Sequence, residues 1–214
     1  MSIKGIIFDC DGVLLDSEAA YLEKTIANLS QAGYTASIDD IKYILGYPVK
    51  KIIQCLDRQF DLSKGTGVLN EEEIEYFVPY PDIDKIAPMQ GVINFIKYCY
   101  SKKYSLAIAS TSESWYVNKI LDNYSIRKYF DVVVCGEQVE NGKPSPDIYN
   151  LTAKRINIQK KDLIAIEDSV NGIISAKSSG IYTIGLKLSK IFQDTSNADY
   201  EAYSYKEIID KFNL

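Results

Sequence analysis

The first apolar run of the chain, Ile6-Ile7-Phe8, stops at Asp9 and is followed by Cys10, Asp11 and Gly12. Three later runs also end in polar groups. LAIA leads to Ser110-Thr111-Ser112, VVVC to Gly136-Glu137, and LIAI to Glu167-Asp168-Ser169. Carboxylates brought together at such ends repel and raise one another's pKa. A hard cation resolves the conflict, because Mg²⁺ takes carboxylate oxygens and keeps waters for a phosphate ligand. The pattern therefore predicts a metal at Asp9 and Asp168. Asp9, at the tip of its run, suits a nucleophile that forms an acyl-phosphate and divides a difficult substitution into two steps. Asp11, just past the tip, can give and take a proton. Gly12 lets the chain turn away with no Cβ in the path of a ligand. Ser110, Thr111 and Ser112 suit phosphate oxygens. Lys143, fixed between Gly142 and Pro144 in GKPSPDIY, would offset the charge of a phosphate and of Asp9. Pro146 can open the next helix, and Asp168 or Ser169 also suits a helix N-cap.

The 214 residues contain no histidine. Proton transfer near neutral pH must then use carboxylates, lysine, tyrosine, thiols or metal-bound water. Ser-His-Asp and Cys-His triads are excluded, as are histidine-based zinc sites. A net charge of −5 and a pI near 4.9 argue against a nucleic-acid surface. The paired lysines 50–51, 102–103 and 160–161 are isolated. No apolar run is long enough for a membrane span, and the N-terminus does not read as a signal peptide. Cys10, Cys55, Cys99 and Cys135 show no C-x-x-C spacing. They fit a reduced, cytoplasmic setting without disulfides or zinc.

These residues need a scaffold that gathers them. Residues 3–9 read as a buried strand. From Ser17, a plausible N-cap, Leu22, Ile26 and Leu29 follow at helical spacing up to Gly33. Two shorter helical segments around Gly46-Tyr47-Pro48 and the acidic NEEEIEYF keep residues 17 to about 86 helical. After Pro88 the pattern alternates. Helices are expected over GVINFIKYCYSK, 114–123, 146–157, VNGIISAKSSG and 205–212, and strands over YSLAIAS, FDVVVC, DLIAIED and IYTIGL. Alternation implies a parallel sheet covered on both faces, in which ligands bind beyond the carboxyl ends of the strands. The fold expected is α/β: a Rossmann-like parallel-sheet core (1–16 and 87–214) with an inserted α-helical cap domain (17–86).

With these stations in order, the chain resembles the haloacid dehalogenase superfamily over nearly its whole length. The first motif is Asp9-Cys10-Asp11-Gly12-Val13-Leu14, followed by Asp16-Ser17-Glu18. The second is Ser110, the third Lys143 in GKPSPDIY, and the fourth Glu167-Asp168 in IEDSVNGI. The resemblance implies Mg²⁺ held by Asp9, the backbone carbonyl of Asp11 and Asp168, with Glu167 assisting. Dehalogenases of the superfamily lack the second acid of the first motif, so Asp11 points to phosphoryl transfer.

The subgroup it resembles is that of the β-phosphoglucomutase-like phosphatases, with departures. Tyr21 stands where mutases of that type carry a histidine. Gly46-Tyr47-Pro48-Val49-Lys50 has no arginine, and Glu113 in Ser112-Glu113-Ser114 would repel a second phosphate. The expectation is a Mg²⁺-dependent phosphatase acting on a small phosphorylated metabolite, such as a sugar phosphate, through an aspartyl-phosphate. Tyr21, Tyr47, Lys50 and Lys51 are the cap candidates for contact with the leaving group. A sugar-phosphate mutase is the alternative. A phospho-accepting signalling module is less favoured, since it needs no 70-residue helical insertion. A monomer is expected, because the cap must move.

Overall fold

Short apolar runs set the architecture. The computed structural model describes residues 2–189, 191 and 193–214. Strands β1 (Gly5–Phe8), β2 (Ser105–Ala109), β3 (Val132–Val134), β4 (Leu163–Glu167), β5 (Tyr182–Leu186) and β6 (Tyr200–Ala202) form one sheet in the order β3-β2-β1-β4-β5-β6. Every pairing is parallel. β1 lies between β2 and β4, with Phe8 level with Ile108 and Ile166. Chain order therefore runs outward from β1 to one side and then to the other. The crevice where the direction switches, between β1 and β4, is where open α/β sheets bind ligands.

Side chains alternate between the two faces of a strand, and both faces are covered. Ile6, Phe8, Ile108 and Ile166 pack with Phe95 of α5 (Val92–Ser101), Val117 of α6 (Ser114–Asn123) and Ile208 of α9 (Tyr205–Phe212). Ile7, Ala107 and Ala165 face the other way, onto Ile148 and Tyr149 of α7 (Asp147–Ile156) and Ala176 of α8 (Val170–Ser178). That two-sided burial is why these strands read as continuous apolar runs.

Between β1 and α5 lie α1 (Glu18–Gln31), α2 (Ile38–Ile41), α3 (Val49–Phe60) and α4 (Glu71–Phe77). Leu22, Leu29, Ile41, Ile53, Leu56 and Phe77 form a separate apolar cluster there. The two connections to this helical block run side by side, with Asp16 N–H donating to Ala87 O at 3.2 Å and Met89 N–H to Leu14 O at 2.9 Å. β6 was not expected from the sequence. It is a three-residue edge strand, Tyr-Glu-Ala, with no apolar run to announce it. Among the described residues, no helix is long and apolar enough to cross a membrane.

Candidate active site

The strand tips converge as the register requires. Asp9 leaves β1 with its N–H on Ile166 O (3.0 Å), and Ser110 leaves β2 with its N–H on Val134 O (3.0 Å). One carboxylate oxygen each from Asp9, Glu167 and Asp168 can be chosen so that all lie within 4.8 Å of one another, and all three residues are buried. Lys143 joins them, 2% exposed, with Nζ donating to Asp9 Oδ1 and Glu167 Oε1, both at 2.6 Å. Tyr149 OH donates to the same Glu167 oxygen at 2.6 Å, and its ring lies under the ammonium, 5.4 Å from Nζ to centroid.

Lys143 is held from both sides of its loop. Ser145 N–H donates to Gly142 O (3.0 Å), Ser145 Oγ and Asn141 Nδ2 donate to the Asp147 carboxylate (2.9 and 3.0 Å), and Ser175 Oγ of α8 donates to Ser145 O. Asp168 is left free for the site because Ser169, not Asp168, caps α8, its Oγ accepting from Gly172 N–H at 3.0 Å. Gly12, at φ +76°, passes so close to Asp168 that a Cβ there would overlap its carboxylate. The glycine thus makes room for a protein carboxylate as well as turning the chain.

Burial first, and then the Glu167 charge, raise Asp9 to about 8 against the pull of Lys143. Asp168 is raised well above the carboxylate range by burial and by the neighbouring Glu18, Asp9 and Glu167. Burial opposes the charge on Lys143, yet the Asp9 and Glu167 carboxylates outweigh it and raise the ammonium. One lysine among three carboxylates leaves the cluster short of positive charge. Asp168 Oδ2 is buried with no hydrogen-bond partner, and such a group is costly unless something binds it. The donor set, hard oxygens about one buried and unpaired carboxylate atom, fits a small divalent cation.

Asp11 occupies a different setting. Its Oδ1 accepts from Ser17 Oγ at 2.6 Å and Tyr116 OH at 3.2 Å, and its Oδ2 from Ser112 Oγ at 2.9 Å. Ser17 does stand at the N-cap of α1, but its hydroxyl makes no capping bond; it serves Asp11 instead. Ser110 Oγ accepts from Ser112 N–H at 3.1 Å, which fixes the turn after β2. Glu137 follows the end of β3 beside the Ser112 turn, but its carboxylate does not join the cluster. Its exposed carboxylate accepts from Ser114 N–H (3.1 Å) and from Ser114 Oγ at the start of α6.

A cavity of about 100 Å³ adjoins the tips. Asp9, Asp11, Thr111, Ser112 and Asp168 line its floor, and Tyr21, Tyr47, Ile52, Val78 and Tyr80 are among its other walls. The α2–α3 connection closes down on the sheet side, where Asn171 Nδ2 donates to Leu45 O (3.3 Å) and Pro48 packs against Gly142. Tyr21 OH is buried with no hydrogen-bond partner of ordinary geometry. Lys50 and Lys51 are exposed on α3 and do not line this cavity, since Val49 and Ile52 take the inward positions. Tyr116, Tyr149 and Glu18 also border the site, and the sequence pattern assigned none of them a role there. Glu18 is buried, and its carboxylate accepts from Gln193 Nε2 (2.9 Å) and Ser189 Oγ. The tyrosines were hidden among 17 of their kind.

The chain is similar to known proteins. The family described as haloacid dehalogenase-like hydrolase matches residues 6–186. The chain is similar to a phosphorylated carbohydrates phosphatase of Thermotoga maritima, 32% identical over 188 residues covering 85% of this chain and 84% of that one. It is also similar to the fructose-1-phosphate phosphatase YqaB of Escherichia coli, 27% identical over 86% of this chain and 96% of that one. Among solved structures, CbbY from Rhodobacter sphaeroides in complex with phosphate superposes with a TM-score of 0.77 at 23% identity, covering 99% of this chain and all of that one.

Proposed function

The chain belongs to the haloacid dehalogenase-like hydrolases, and from that premise we propose that it is a Mg²⁺-dependent phosphatase that hydrolyses a small phosphorylated metabolite through an aspartyl-phosphate on Asp9. Relatives named for phosphorylated carbohydrates and fructose 1-phosphate favour a sugar or polyol phosphate. The observation that carries the reading is the state of Asp9. Lys143 occupies Oδ1 at 2.6 Å, and Oδ2 has no hydrogen bond among the described residues, at the edge of a cavity that Asp9 lines. An acid held by one oxygen and open at the other supports a nucleophilic role for Asp9.

Asp9, Asp168, Glu167 and the Asp11 carbonyl are the groups that would hold Mg²⁺, which when bound supplies the charge that lets several carboxylates and a phosphate share one site. Glu167 Oε1 already serves Lys143 and Tyr149, so its part is chiefly to orient them. In the first step Asp9 Oδ2 bonds to phosphorus, the bond to the leaving-group oxygen breaks, and Asp11 gives that oxygen a proton. In the second, water bonds to phosphorus, its proton passes to Asp11, and the Asp9–phosphorus bond breaks to release inorganic phosphate. Lys143 stays charged throughout and, with the Ser110–Ser112 turn, stabilises the transferring group. Positioning and electrostatics together must lower the barrier by about 20 kcal/mol.

The helical block 17–86 acts as a cap that excludes bulk water and presents Tyr21 and Tyr47 to the leaving group. Among the described residues no Lys or Arg lines the cavity, which supports hydrolysis over a mutase that must seat a second phosphate. A cytoplasmic monomer completes the proposal, consistent with four free cysteines. The test is a panel of phosphorylated metabolites assayed for phosphate release with Mg²⁺ and with EDTA, with Asp9→Asn as control. Release that requires the metal and disappears in the variant supports the reading. Undiminished release from Asp9→Asn overturns it.

A further inference from the structure

Asp11 is clamped by hydroxyls from three separate places in the fold. Ser17 comes from the first connection to the helical block, Ser112 from the turn after β2, and Tyr116 from α6. The two oxygens are not equivalent. Oδ1 accepts from both Ser17 Oγ (2.6 Å) and Tyr116 OH (3.2 Å), while Oδ2 meets Ser112 Oγ alone (2.9 Å).

Tyr116 is itself immobilised. It is 1% exposed, and its ring stacks at 4.6 Å on Tyr80, from the second connection to the helical block. Tyr80 OH in turn accepts from Glu113 N–H at 3.2 Å, in the turn that carries Ser112. The hydroxyl that reaches Asp11 is therefore fixed by packing and by a neighbour that is itself bonded to the phosphate-facing turn. Such support is what holds an acid–base group in working geometry.

We infer that Tyr116 is a positioning residue which, together with Ser17, fixes the Asp11 carboxylate in the geometry its acid role needs. The inference rests on the phosphatase reading above and adds to it the residue that orients its acid. Its signature is a dependence on the leaving group. An ester whose leaving oxygen departs readily needs little help from an acid, and a poor leaving group needs much.

The test compares kcat/KM for phenyl phosphate and 4-nitrophenyl phosphate, which have similar shape but different leaving ability. Because kcat/KM reports events only through the first irreversible step, later hydrolysis of the phospho-enzyme does not enter. Tyr116→Phe keeps the ring and its stack and removes only the hydroxyl. It is expected to lower kcat/KM for phenyl phosphate about tenfold, part of the about 100-fold or more that a placed acid supplies, and to lower the nitrophenyl value much less. Ser17→Ala should show the same split, and Ser17→Thr, which retains a hydroxyl, should restore the phenyl phosphate rate. Equal losses with both esters, or no loss with either, would overturn the assignment while leaving the phosphatase reading intact. A parent enzyme inert toward every monophosphate, with and without Mg²⁺, overturns both.

Discussion

Replacing Lys143 by methionine should damage the fold as well as the activity. The side chain is 1% exposed and its Nζ lies 2.6 Å from both Asp9 Oδ1 and Glu167 Oε1. At an effective dielectric of about 20, each contact is worth about 6 kcal/mol of Coulomb energy. Desolvating each buried ion costs several kcal/mol in return, so the net worth is far below the sum. Methionine fills the stem's volume but leaves two buried carboxylates without their cation, a change that costs about 3–5 kcal/mol. Proton uptake by Asp9, already raised to about 8, keeps the loss in that range rather than at the Coulomb sum. For a chain of this size each kcal/mol moves Tm by about 2–4 °C, so the expected drop is about 6–20 °C. Differential scanning calorimetry in EDTA near neutral pH measures it. Adding Glu167→Gln to Lys143→Met removes one stranded charge and should recover part of the loss. A single variant melting within about 2 °C of the parent, or a double variant less stable than the single, would refute the electrostatic account of this cluster.

Stability of the metal-free protein should depend on pH in an unusual direction. Asp9 sits near 8 when folded, against about 4 in an unfolded chain, so between those values the folded state holds a proton that the unfolded state has released. Its contribution is then greatest below about pH 4 and is lost as pH climbs toward 8. Asp168, raised by burial, acts in the same sense. Urea melts at successive pH values in EDTA should show this fall once the other groups are matched in an Asp9→Asn control, and a contribution that rises with pH would contradict it. Mg²⁺ should raise Tm by supplying the missing positive charge, and Asp168→Asn should abolish most of that rise. An undiminished Mg²⁺ response in Asp168→Asn would place the cation elsewhere.

Much of this was legible in the chain because burial on both faces writes a strand as an uninterrupted apolar run. β1, β2, β4 and β5 stand out for that reason, and the polar residues that end three of them mark the rim of the sheet. β6 did not stand out, since a three-residue edge strand containing Glu201 needs no apolar pattern. The order of the strands is carried by packing between elements far apart in sequence, which no local pattern records. Asp9 and Asp168 were legible from their positions between an apolar run and a turn, and Lys143 from its place between Gly142 and Pro144, and the structure brings them together. Glu137 looked equivalent, yet it turns back on Ser114 at the start of α6. Ser17 carried the signal of a helix cap, and only the three-dimensional path of residues 11–17 shows its hydroxyl on Asp11. Tyr116 reaches the same carboxylate across 105 positions of sequence, a contact that a tyrosine-rich chain gives no means to single out.

The central claim is that Asp9 carries the phosphoryl group between two steps. Asp11→Asn should slow release of the phospho-enzyme by removing the base that activates water. Rapid acid quench of that variant during turnover of 4-nitrophenyl phosphate, whose leaving group needs little help from the missing acid, followed by mass spectrometry of the Asp9 peptide, tests the claim directly. The account predicts one phosphoryl group on Asp9, absent from Asp9→Asn. Steady turnover with Asp9 never modified, or the label found on another residue, would contradict it.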